Sequence, residues 1–99
     1  MATALREYEL IVVLSPEIGD DAVEASIERV QQSITSRGGE IVETKHWGRR
    51  RLAYPIKRHM EGNYVENQVR MDPDQVSGLE ANLRISEEVI RHLIVKAGE

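Results

Sequence analysis

The chain has 99 residues, with 13 Lys and Arg against 17 Asp and Glu for a net charge of −4, and no cysteine. That length suits one compact domain with one modest core, and the lack of cysteine excludes disulfides, thiolate catalysis and cysteine-ligated zinc or iron–sulfur sites. The opening MATALREYEL has no basic flank leading into a long apolar segment, and the aliphatic run from Leu10 to Leu14 cannot span a bilayer, so a soluble cytoplasmic protein is expected.

Residues 1–5 are read as a disordered extension. From Arg6 to Leu14 the alternation of Tyr8, Leu10, Val12 and Leu14 predicts a strand with Glu7, Glu9, Ile11 and Val13 on its other face. Ser15-Pro16 ends it, and Asp20 or Asp21 is expected to cap a helix running to about Arg37, with Val23, Ile27, Val30 and Ile34 inward. Gly38-Gly39 supplies a helix stop. A second strand begins near Glu40 and extends towards Ala53, interrupted by a bulge or bend at Trp47-Gly48. The third strand, about Asn63 to Met71, alternates Val65, Asn67, Val69 and Met71 against Tyr64, Glu66, Gln68 and Arg70. Asp72-Pro73 then starts a short helix with Val76, Leu79 and Leu83 inward. Val89 to Lys96 makes the last strand, whose two faces are both partly apolar and leave its core side open.

The order strand, helix, strand, strand, helix, strand is that of the α+β, ferredoxin-like split βαβ fold, with two helices on one face of a four-stranded antiparallel sheet. Its first and third strands are central, so the second is expected at an edge. That edge carries the most uneven charge in the chain. Lys45, Arg49, Arg50, Arg51, Lys57 and Arg58 fall between Lys45 and His59 with no acid among them, leaving seven bases against seventeen acids elsewhere. Such a field can draw a polyanion to one side of an acidic protein; a plain solvated edge is the competing account.

Catalytic chemistry finds little support. His46, His59 and His92 have no ligand spacing, no serine has a nucleophile-elbow context, and there is no glycine-rich phosphate loop. An acylphosphatase would bind phosphate after its first strand, but SPEIGDD is acidic there and would repel it. An RNA-recognition motif would stack bases on its central strands. Here the outward positions offer only Tyr64, beside Glu7, Glu9 and Glu66, so RNA is not expected across the sheet face. Arginine suits phosphate because its planar fork stays charged, and Arg49, Arg50 and Arg51 would point alternately to two sides of the edge strand. Trp47 is read as packing or as an interface anchor; Tyr64, Ile11 and Val13 are the sheet-face candidates for a protein partner.

The segment GRRRLAYPIK, Gly48 to Lys57, with EGNY at Glu61 to Tyr64, resembles the signature of the bacterial small-subunit ribosomal protein S6 family. REYE at Arg6 to Glu9, VLSP, GGEI and VIRHLIVK extend the resemblance over most of the chain. It implies a structural, non-enzymatic protein that binds the central domain of 16S ribosomal RNA as a heterodimer with ribosomal protein S18, without cofactor. By the same resemblance Arg49, Arg50, Arg51 and Lys57 become candidates for RNA or partner contact, with Lys45, His46 and Arg58 just outside the signature and Arg6 before the first strand. The ending KAGE lacks the long acidic tail that some members carry and that can be glutamylated. The alternative is a ferredoxin-like regulatory module that dimerises through its sheet and binds a metabolite.

Overall fold

The computed structural model describes residues 5–56 and 58–97. Strand β1 (Arg6–Leu14) leads through a turn into helix α1 (Asp20–Thr35), and β2 (Glu40–Ile56) and β3 (His59–Met71) form a long hairpin. A 3-10 turn (Pro73–Gln75), helix α2 (Val76–Ile85) and strand β4 (Val89–Lys96) complete the chain. The sheet order is β2-β3-β1-β4, with every neighbouring pair antiparallel. This is the ferredoxin-like arrangement expected from the order of elements. Its arginine-rich strand is an edge.

Period-two alternation decides which side of each strand is buried. Tyr8, Leu10, Val12 and Leu14 of β1 and Val65, Val69 and Met71 of β3 face the helices, where Ile27, Val30, Ile34, Leu79 and Leu83 close the core. Asn67 shares that side and is buried. Its Oδ1 accepts from Thr44 Oγ1 at 2.9 Å, and Gln31 Nε2 donates to the same threonine oxygen at 3.0 Å, so one polar chain links β3, β2 and α1.

Helix α1 does not begin as expected. The N-cap is Gly19, with no side-chain cap bond, because its extended backbone (φ −71°, ψ 164°) takes the cap position and leaves Asp20 as the first helical residue. The Asp21 carboxylate in the first turn therefore answers only the positive end of the helix dipole. The other end closes as predicted: Gly38 is left-handed at φ 81°, Gly39 N–H donates to the Ile34 carbonyl and Gly38 N–H to that of Thr35, each at 3.0 Å. Asp72 accepts from the Asp74 N–H at 2.9 Å ahead of Pro73, again as expected.

In β4 the register against β1 shifts between Val13 and Leu14, beside Ile90. The adjacent Val89 and Ile90 are consequently both buried, Val89 in the main core and Ile90 in a small cluster with Val13 and Leu52. On the helix side, the Ser26 hydroxyl and the Arg29 guanidinium both donate to the Glu88 carboxylate. These bonds, that of Ser26 first, hold the Glu88 carboxyl below the ordinary carboxylate range.

Candidate nucleic-acid and partner interface

The basic segment belongs to the far half of the β2–β3 hairpin. Strand β2 pairs only with β3, and its register shifts between Ile41 and Glu43, between His46 and Gly48, and between Arg51 and Ile56. From Lys45 to Arg51 every residue is exposed. Gly48 lies in the left-handed region at φ 80°, where a side chain would be strained, so the predicted bulge at Trp47-Gly48 is present.

That bulge determines what the arginines face. Past it, Arg49, Arg50 and Arg51 pair with Asn63, Gly62 and Glu61, so the three side chains alternate across the sheet. Arg49 and Arg51 lie on the helix side. Arg49 Nη2 donates to the Pro16 carbonyl at 3.1 Å and its Nη1 is 3.7 Å from Glu61, which ties this guanidinium to its own chain. The Arg51 guanidinium makes no hydrogen bond or ion pair with another described residue. Arg50 lies on the opposite side, with its Cζ 5.6 Å from the centre of the Trp47 ring.

Trp47 and Arg50 are three residues apart and would oppose each other in a regular strand. The extra residue of the bulge resets the alternation and brings them onto one face. Trp47 also stacks on Tyr64, with ring centres 5.9 Å apart and planes within 2°. Sequence periodicity missed this cluster of Tyr64, Trp47 and Arg50, since a bulge erases the parity on which periodicity depends; the readable signal was Gly48 itself.

The sheet face away from the helices is less open than expected. Beyond Arg51 the hairpin curls over it, so that Leu52 packs on Val13 and Ile90, and Arg91 Nη1 donates to Tyr54 Oη at 3.1 Å. Val13 is 2% exposed, and that burial comes from the chain's own hairpin. Gly62 allows the approach, because a Cβ there would lie 2.3 Å from Val13 Cγ1. Further along the face Ile11 is half-buried and Leu93 and Val95 are exposed, with Glu7, Glu9 and Glu66 around them. Arg70 pairs with Glu7 at 3.2 Å.

The remaining candidates are spread out. Lys45 and His46 are exposed just before the bulge, opposite Glu66 and Val65. Arg58, at the hairpin turn, has a left-handed backbone at φ 70°. Lys57 and the extension up to Ala4 lie outside the described residues. Arg6 is exposed at the other end of β1, roughly 26 Å along the strand from the Arg49 end, so it is not part of the same cluster. Among the described residues no group of three or more His, Asp or Glu is placed to hold a metal ion.

The family model described as "Ribosomal protein S6" matches residues 7–96. The small ribosomal subunit protein bS6 of Dehalococcoides mccartyi is 41% identical over 95 residues, covering 96% of this chain and 87% of that protein. The bS6 of Caldanaerobacter subterraneus is 40% identical over 96% of this chain and its own full length. A crystal structure of 30S ribosomal protein S6 from Thermotoga maritima superposes with a TM-score of 0.88 at 31% identity, covering 93% of this chain and 87% of that one. The chain belongs to the ribosomal protein S6 family.

Proposed function

We propose that this chain is a structural, non-enzymatic constituent of the small ribosomal subunit in the cytoplasm, binding the central domain of 16S ribosomal RNA together with ribosomal protein S18. The observation that carries the reading is the exposed β2 edge, where Lys45, Arg50 and Arg51 present cations, with His46 beside them and no acid from the same strand segment, and Arg58 adds another cation at the hairpin turn. A second surface supports the protein partner. Ile11, Leu93 and Val95, ringed by Glu7, Glu9 and Glu66, offer an apolar patch with a negative rim that complements a basic protein. The net charge of −4 opposes RNA binding by the chain alone, so the partner raises the affinity.

Changing Arg49, Arg50 and Arg51 together to glutamate tests the assignment. Exposed charges contribute under about 1 kcal/mol each to stability, so the variant should keep nearly its thermal midpoint while failing to enter reconstituted small subunits. Normal incorporation of the folded variant would remove this edge from the RNA site. If the pair of proteins makes roughly six phosphate contacts, log affinity against log salt should fall with a slope near −4.

A further inference from the structure

We infer that the cluster of Tyr64, Trp47 and Arg50 seats a single unpaired RNA base, adding a stacking contact to the phosphate contacts made by the rest of β2. The inference rests on the RNA-binding reading above and names which nucleotide feature this part of the edge takes. Three observations carry it. First, the indole is held flat against Tyr64 yet is 39% exposed, in a strand where Leu52 is the only buried side chain among the described residues. Packing thus orients the ring without covering it. Second, the indole N–H has no acceptor among the described residues, which leaves it free to donate to a ligand. Third, the Arg50 guanidinium lies over the ring with no carboxylate partner among the described residues, so its outer surface and its donors are available.

With the guanidinium lying over an indole that is itself stacked on Tyr64, the three groups present a flat, cationic surface at the guanidinium plane. A nucleobase matches the flat part and the adjoining phosphate matches the charge, which is the combination used by single-strand binders. A-form duplex keeps its bases stacked inside, so the occupant is an unpaired nucleotide in a loop, bulge or end. The bulge at Gly48 is what builds the platform, by bringing Trp47 and Arg50 to the same side.

Trp47 is the only tryptophan, so its fluorescence in the full chain reports directly on the site. Titration at low salt with a 12-nucleotide single-stranded RNA should quench it, and a blunt RNA duplex of the same length should quench it far less. Binding of the variants is read by anisotropy of the labelled strand. Trp47→Leu should weaken single-strand binding about tenfold, Trp47→Phe should recover most of the loss, and Arg50→Lys should lose affinity while keeping its charge. The salt slope of Trp47→Leu should stay that of the wild type, because its phosphate contacts remain. Absence of quenching by single strands, equal loss for single strand and duplex, or unchanged affinity in both Trp47→Leu and Arg50→Lys would each overturn the inference. If those two variants bind RNA normally but fail to bind S18, the platform is a protein anchor instead. Unchanged RNA affinity in Trp47→Leu, alongside failed incorporation of the triple glutamate variant, would leave the proposed function standing without the base seat.

Discussion

The helix-covered body of the sheet and the far half of the β2–β3 hairpin are built from the same strand rule to opposite ends. In the body, alternate residues of β1 and β3 are buried under two helices, and the main core draws on β1, β3, β4 and both helices. In the arm, Lys45 to Arg51 are all exposed, and Leu52 is the apolar anchor among the described residues, packed on Val13 and Ile90. Stability and binding are therefore kept in different places. Charge reversal in the arm can abolish contacts without unfolding the protein, and a cavity in the body can unfold it without touching the contact surface.

The comparison breaks most visibly if the arm loses its charges. An edge strand presents unpaired N–H and C=O groups, and like charges with a bulge keep it from pairing with another copy. Replacing Lys45 and Arg50 with isoleucine and Gly48 with valine is expected to give dimers, higher oligomers or fibrils through this edge. Sedimentation over a concentration series checks this, and a folded, monomeric triple variant would show that the edge needs no guard. Cavity formation should separate the regions next. Leu14→Ala, at a fully buried site, should cost about 3–5 kcal/mol in urea unfolding, and Leu52→Ala only about 2 kcal/mol, since it has one small cluster to support. Equal costs would make the arm part of the core.

Smaller effects sharpen the same division. Arg58 sits at φ 70°, where an L-residue is strained, so Arg58→Gly should stabilise by about 0.5–1 kcal/mol, with the folded gain partly offset by the looser unfolded chain. Lower stability in that variant would mean that the side chain holds the turn. The smallest effect belongs to the body. Glu88 has a lowered folded pKa, so the stability it contributes is present above its unfolded pKa and is lost as pH falls through the folded value. Glu88→Gln should give a flatter acid limb in stability measured against pH; an unchanged limb would show that the bonds from Ser26 and Arg29 contribute nothing measurable.

Most of the body was legible in the sequence because alternation and helical spacing survive intact there. Leu10, Val12, Ile27, Ile34, Leu79 and Leu83 are buried as their spacing predicts. The edge position of β2 followed from the order of elements, and the bulge from Gly48. What escaped was physical in origin. Strand β3 starts at His59, four residues before Asn63, because the hairpin continues through His59, Met60, Glu61 and Gly62, where a single apolar residue gives no alternation to read. The α1 cap fell to Gly19 through backbone geometry, which side-chain preference does not reveal. Val13 could be placed on the sheet's second face, but its cover by Leu52 depends on how the hairpin curls after three register shifts, and no local pattern encodes that.

The pairing of β2 with β3 alone has a dynamic consequence. Strand β1 is held on both sides by partners distant in the chain, Tyr8 lying opposite Val69 and Lys96, whereas the arm is zipped only to its neighbour in sequence. Closing a local hairpin requires little chain entropy, and opening it disturbs the contacts around Leu52, the Arg49 bond to Pro16 and the Trp47 stack on Tyr64 while leaving the main core intact. Amide hydrogens between Lys45 and Arg51 should therefore exchange by local opening, well ahead of those at Leu10 and Val12, which exchange with the whole fold. The contact strand can then fray and reseat against an irregular RNA surface while the body remains folded.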